Sequence, residues 1–180
     1  MSSIASGLSV MAKRETDVDN GWQTPRFLVE RVRAVLGEID LDPCTTSTNP
    51  CGAMRFYTPA DDGILMPWEG RVYCNPPYGR TIAHWVDKAI GHAHGGGQVV
   101  MLVPARCDSR WFHRLSRVAT GLLLFSGRLS FESDVKREGK GSNAPFPCAL
   151  FGLNVDLSPM RDLGIVYKSP LPLPAREDYP

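Results

Sequence analysis

Val72-Tyr73-Cys74-Asn75-Pro76-Pro77-Tyr78 is a short apolar run that breaks into an amide, two prolines and an aromatic ring. β-branched and aromatic residues suit a pleated strand, and a pair of prolines cannot continue one, so the stretch reads as a strand ending in a rigid turn. Beyond the turn, Ile82, Trp85, Val86, Ala89 and Ile90 recur at helical spacing until Gly95-Gly96-Gly97 ends the run. Gln98 to Val103 is then a continuous apolar segment of buried-strand type, closed by Pro104. Strand, helix and strand in this order predict an α/β fold built on a parallel sheet.

The same reading extends in both directions. Downstream, Asp108 or Ser109 is placed to cap a helix whose Trp111, Phe112, Leu115 and Val118 face the core, and Leu122 to Phe125 is a further strand. Gly127 to Phe131 and Cys148 to Leu153 read as two strands joined by a polar, glycine-rich tip, giving a terminal antiparallel hairpin on a mainly parallel sheet. Upstream, Thr24-Pro25 opens a helix, with Thr24 able to cap and Pro25 suited to the first helical position, and Gly37 closes it. Ile39-Asp40-Leu41 alternates as a short strand that runs into Asp42-Pro43-Cys44, and Thr45 to Trp68 is a long loop with little regular structure. Residues 1–20 lack periodicity and read as a tail, 21–168 as one domain, and 169–180 as a proline-rich tail. Ligands of such sheets lie at the carboxyl ends of the strands, where Asp42 and Asn75 fall.

Composition narrows the class. The 180 residues support one core, and 20 Lys and Arg against 19 Asp and Glu leave a net charge of +1, so no global field draws in a polyanion and any nucleic-acid contact must be local. Cys44, Cys51, Cys74, Cys107 and Cys148 are odd in number and form no C-x-x-C pair, which argues against both zinc and a disulfide framework and for reduced thiols in a cytoplasm. His92 and His94 sit at a glycine-rich helix exit rather than in a metal site. No apolar run of about 18 residues predicts a membrane span, and the N-terminus has no secretory pattern.

The turn residues carry the chemistry. The Asn75 side-chain carbonyl and the main-chain carbonyl of Pro76 suit the two hydrogens of an exocyclic amino group, with Pro76 and Pro77 holding the backbone rigid. Tyr78 offers a flat face on which a base stacks, an interaction of roughly 1–3 kcal/mol. Arg106, Arg110, Arg114 and Arg117 make one basic stripe if the third helix extends back to Arg106. Lys136-Arg137-Glu138-Gly139-Lys140-Gly141-Ser142-Asn143 is a second basic segment, and with Arg128 it supplies Lys140, Ser142 and Asn143 as candidate contacts to nucleic acid.

Several motifs occur together and in order: Trp22-Gln23-Thr24-Pro25, Leu41-Asp42-Pro43-Cys44, Asp62-Gly63 to Trp68, Asn75-Pro76-Pro77-Tyr78, Val103-Pro104-Ala105-Arg106, Gly127 to Phe131, and Ala144-Pro145-Phe146-Pro147. In these the chain resembles the phage-type, Dam-like DNA N6-adenine methyltransferases. The resemblance implies a class I methyltransferase (Rossmann-like) fold, S-adenosylmethionine as donor, and adenine N6 in double-stranded DNA as acceptor. It further implies a flipped base, a direct in-line displacement without metal or covalent intermediate, and a bacterial or phage setting in which restriction-modification is one context. By the same resemblance, Thr24 and Pro25 lie beside the cofactor's methionine portion, Asp42, Pro43 and Cys44 contribute the acidic step of its site, and Asn75 also borders it; Asp61 or Asp62, with Asp62 as the candidate, is placed to hold the ribose hydroxyls. The chain departs from the wider methyltransferase pattern in having no Gly-x-Gly after its first strand. Two other readings fit these residues: the same chemistry on RNA or on protein glutamine, and a non-enzymatic DNA-binding or regulatory module that keeps the fold. Oligomeric state is not legible.

Overall fold

The computed structural model describes residues 23–131 and 142–168. The expected tails, 1–20 and 169–180, lie outside the described residues. Apolar residues at helical spacing form helix α1 (Arg26–Leu36), which buries Leu28, Val29, Val32 and Leu36. Strands β1 (Leu41–Asp42), β2 (Arg55–Phe56) and β3 (Arg71–Cys74) follow. Helix α2 (Ile82–His94) then leads to β4 (Gln98–Pro104), and α3 (Arg110–Val118) to β5 (Gly121–Phe125). The chain closes with the small strands β6 (Ser130–Phe131) and β7 (Ser142–Asn143), then β8 (Cys148–Leu153), a 3-10 turn at Ser158–Leu163, and β9 (Gly164–Lys168).

Seven strands make one sheet in the order β2-β1-β3-β4-β8-β5-β9, and β6 pairs with β7 apart from it. The pairs β1–β2, β1–β3 and β3–β4 are parallel, whereas β4–β8, β8–β5 and β5–β9 are antiparallel. The fold is therefore mixed α/β, with a parallel half and an antiparallel half. The expected terminal hairpin is corrected: Ser130–Phe131 pairs with Ser142–Asn143, and Cys148–Leu153 enters the main sheet between β4 and β5. The reason lies in β8 itself, all six residues of which are buried, so that it needs cover on both faces and neighbours on both sides. The expected loop from Thr45 to Trp68 also contains an edge strand, since Arg55 and Phe56 pair with Leu41 and Asp42.

Two apolar layers hold the sheet. On one face α2 and α3 bring Trp85, Val86, Ala89, Trp111, Phe112 and Leu115 against Val72, Cys74, Met101 and Phe151. On the other, α1 and the 3-10 turn bring Leu28, Val32, Leu36, Leu157 and Met160 against Tyr73, Val100, Leu102 and Leu150. Each fully buried side chain of this size contributes roughly 1.5–3 kcal/mol. At the amino end of β3, Arg71 grips Asp40 with Nε and Nη2 at 2.9 and 2.8 Å, and these bonds hold the Asp40 carboxyl down at about 2.

The parallel half contains a switch point. From β1 the chain moves outward to β2, whereas from β3 it crosses through α2 to β4 on the opposite side. In α/β sheets ligand crevices lie at such switch points, and Asp42 and Asn75 stand here at the adjacent carboxyl ends of β1 and β3.

Candidate active site

Alternation along β3 decides what faces the crevice. Tyr73 and Cys74 point to opposite faces of the sheet, and two residues beyond Tyr73 the side chain of Asn75 returns to the α1 side. The start of α1 stands on that side. Pro25 is the N-cap of α1, and its carbonyl accepts the N–H groups of Leu28 and Val29 at 2.9 and 3.1 Å. The expected cap at Thr24 and helical first position at Pro25 are thus corrected by one residue, because the Thr24 hydroxyl has a tertiary partner instead. That hydroxyl is buried and lies 2.7 Å from the Tyr73 hydroxyl. It also accepts Asn75 Nδ2 at 3.2 Å.

With its nitrogen on Thr24, the Asn75 amide turns its oxygen the other way, where Tyr78 donates its hydroxyl to Oδ1 at 2.6 Å. Burial raises the Tyr78 phenol well above its usual range, so it remains a donor at neutral pH. Phe146 meets the Tyr78 ring edge-on, with centroids 5.5 Å apart and planes at 78°. The Pro77 carbonyl accepts the Gly79 N–H at 3.0 Å, and among the described residues no backbone N–H is bonded to the carbonyl of Pro76. Pro76 itself is buried and Pro77 half-buried, as a rigid turn beneath a ligand would be.

Asp42 supplies the charge. Its carboxylate is 3% exposed and accepts the Cys44 N–H at 3.2 Å. Burial outweighs that bond and pushes the carboxyl up to about 6. Cys44 and Cys74 stand with Sγ atoms 3.5 Å apart, and burial raises both thiols, so they are held neutral rather than nucleophilic. Pro43 is covered by the segment after β2: a methyl group on Gly63 would lie 1.8 Å from the Pro43 carbonyl oxygen. Trp68 Nε1 donates to the Gly63 carbonyl at 2.8 Å and fixes this overlay. Asp62, in a left-handed conformation at φ 52°, accepts the Ile64 N–H at 3.2 Å and is exposed on the rim. Neighbouring Asp61 instead closes a turn through the N–H and hydroxyl of Thr58, which lower its pKa.

The structure therefore gathers Thr24, Asp42, Cys44, Asn75, Pro76 and Tyr78 at one end of the sheet. The candidate nucleic-acid residues are not gathered in the expected way. Helix α3 begins at Arg110, and Arg106 lies in the preceding turn, where its carbonyl accepts both the N–H and the hydroxyl of Ser109. The four-arginine stripe is thus interrupted, because the Arg106 carbonyl is used to close a turn. Arg114 is paired with Asp87 of α2 at 3.0 Å, whereas Arg110 is exposed at the helix start, next to the carboxyl end of β4. Arg128 donates to the Ala144 carbonyl at 3.1 Å. Ser142 and Asn143 pair with β6 through their backbone, and Lys140 lies outside the described residues.

Two participants escaped the sequence reading. In the sequence Tyr73 reads only as part of an apolar run, although its spacing of two from Asn75 places both on one face. Phe146 belongs to the Ala144-Pro145-Phe146-Pro147 motif, in which nothing local marks it as the partner of Tyr78. A separate open recess lies at the opposite end of the sheet, lined by Arg71, His92, Gln98 and Asn154 among others. Its polar groups are used internally: Asn154 Nδ2 donates to the Ala93 and Gly97 carbonyls, and His92 Nε2 bonds the Gly70 carbonyl. Among the described residues, no group of three or more His, Cys, Asp or Glu side chains forms a metal cluster, and no helix is long and apolar enough to cross a membrane.

A mixed α/β sheet with a polar site above a switch point is consistent with a methyltransferase-like fold. Residues 11–169 match the family described as DNA N-6-adenine-methyltransferase (Dam), and the chain belongs to that family. A curated relative, the DNA N-6-adenine-methyltransferase of Escherichia phage T1, is 28% identical over 138 residues, which cover 75% of this chain and 57% of the relative. The chain thus spans a little over half the length of the curated relative it matches.

Proposed function

We propose that this chain transfers a methyl group from S-adenosylmethionine to the N6 amino group of an adenine flipped out of double-stranded DNA, on a class I methyltransferase sheet. The observation that carries this reading is the oriented amide of Asn75. Its oxygen accepts the Tyr78 hydroxyl, and an amide oxygen of this orientation would accept an amino hydrogen of the base as well. The neighbouring Pro76 carbonyl accepts the second hydrogen. Both bonds strengthen as positive charge develops on the attacking nitrogen, so they favour the transition state over the ground state. Tyr78 and Phe146 wall the base and keep water from it.

The donor set fits the cofactor. A buried carboxylate whose ionisation is opposed by its surroundings gains most from a cation, and Asp42 is in that position. Asp42 and Thr24 would hold the methionine portion, with Pro25, Pro43, Cys44 and Gly63 shaping the walls and Asp62 at the rim for a ribose hydroxyl. When bound, the cofactor supplies an electrophilic methyl group. The chain's part is alignment, which contributes roughly 7–11 kcal/mol in well-oriented systems, and no side chain is assigned as general base. Arg110 is the best-placed contact for a DNA phosphate.

Incubation with methyl-labelled donor and with DNA, RNA or protein tests the reading. The expected product is N6-methyladenine in duplex DNA. Label confined to RNA or protein, or no transfer at all, overturns it.

A further inference from the structure

We propose that Tyr73 is a positioning residue for methyl transfer, acting through Thr24 to hold the Asn75 amide with its oxygen toward the acceptor. This rests on the acceptor reading of Asn75 given above. Tyr73 is fully buried in the middle of an apolar layer, where a phenylalanine would fill the same space without a hydroxyl to desolvate. The hydroxyl is spent on one contact, Thr24 Oγ1 at 2.7 Å. Asn75 Nδ2 has only hydrogens to offer, so Thr24 Oγ1 must be the acceptor in their 3.2 Å bond. An oxygen bonded on both sides holds the Thr24 side chain in one rotamer, and the amide nitrogen is held with it. Oδ1 then faces Tyr78, away from Thr24. An amide turned over would present N–H groups to an amino group that also carries hydrogens, and the grip would be lost. Tyr73 and Asn75 share a face because they are two apart on one strand, so the relay needs no loop to close it.

The test compares Tyr73→Phe, Thr24→Val, Thr24→Ser and the double variant Tyr73→Phe/Thr24→Val in steady-state methyl transfer to duplex DNA at saturating donor. Tyr73→Phe should lower kcat about 3- to 10-fold, the worth of one hydrogen bond, with KM for DNA unchanged. Thr24→Ser keeps the hydroxyl and should be faster than Thr24→Val. The double variant should be no slower than Thr24→Val alone, since a residue that acts through another adds nothing once that other is gone. A second readout needs neither donor nor DNA. The Asn75 side-chain amide signals in a ¹⁵N spectrum, identified by their loss in Asn75→Asp, should shift in both Tyr73→Phe and Thr24→Val. Independent penalties that multiply in the double variant overturn the proposal, as does a slower Tyr73→Phe enzyme with unshifted amide signals. If Tyr73→Phe does not fold, Thr24→Val against Thr24→Ser reads the same relay from its other side, and equal rates and amide signals for those two overturn it. An inactive parent overturns the acceptor reading itself, whereas an active parent with an unaltered Tyr73→Phe variant overturns only the relay.

Discussion

Replacing Asp42 by Asn should make the protein more stable and less able to bind its donor. The carboxyl is 3% exposed, and burial raises its pKa from 3.8 to about 6. A folded-state value above the unfolded one means that folding favours the proton. Asp42 therefore causes no loss of stability below about pH 4, a growing loss as pH climbs toward 6, and a constant loss above that. At about 1.36 kcal/mol per decade, the full penalty is about 3 kcal/mol, and at pH 5 it is about half of that. Asn has nearly the same shape and no charge to desolvate, so Asp42→Asn should exceed the parent in urea unfolding by about 3 kcal/mol at pH 8 and by about half of that at pH 5. The neighbouring Cys44, Cys51 and Tyr73 groups are themselves raised by burial and stay neutral through this range, so the difference reports on Asp42. Calorimetric titration with S-adenosylmethionine should show the opposite ranking, because the variant has no anion to set against a cationic amino acid. A stability difference that does not change between pH 5 and pH 8 would refute the desolvation argument, and undiminished donor binding by Asp42→Asn would refute the assignment of its charge to the cofactor.

Asn75→Ala should abolish methyl transfer in single turnover and, by leaving the Tyr78 hydroxyl without its acceptor, cost about 1–3 kcal/mol of stability, whereas Asn75→Asp, which keeps an acceptor oxygen in place, should retain more activity; equal rates for Asn75→Ala and the parent refute the grip. Gly63→Ala puts a methyl group where the Pro43 carbonyl stands and should cost about 1–3 kcal/mol in denaturant unfolding, together with donor affinity, whereas Gly79→Ala, with open space around it, should be near neutral. Arg110→Ala should reduce the slope of log K against log salt for duplex DNA by about 0.9, the share of one phosphate. Arg114→Ala should leave that slope alone and lose under about 1 kcal/mol of stability through the Asp87 pair.

The features that were legible are those set by local chemistry. The faces of α1, α2 and α3 follow from apolar spacing, since each helix meets its layer wherever that layer comes from. Asp42 and Asn75 were placed at strand ends by the breaks that end those strands. What the sequence did not disclose is partner choice. Six buried residues in β8 say that the strand is covered on both faces, but not that it lies between β4 and β5 rather than beside its neighbour in the chain. Two of the three antiparallel pairs, β4–β8 and β8–β5, come from that one non-local insertion, and β5–β9 is a third, separate pairing. Thr24 is the same problem at the scale of an atom. A hydroxyl before a proline has a local use as a helix cap, worth about 1 kcal/mol, and local reasoning assigns it there. The fold instead offers it two partners from β3, Tyr73 and Asn75, which lie 49 and 51 residues away. The Pro25 carbonyl then takes the first helical N–H groups, so the helix begins without a side-chain cap. At Thr24 the two tertiary hydrogen bonds to β3 win over the local cap, and the hydroxyl holds Asn75 instead of the helix end.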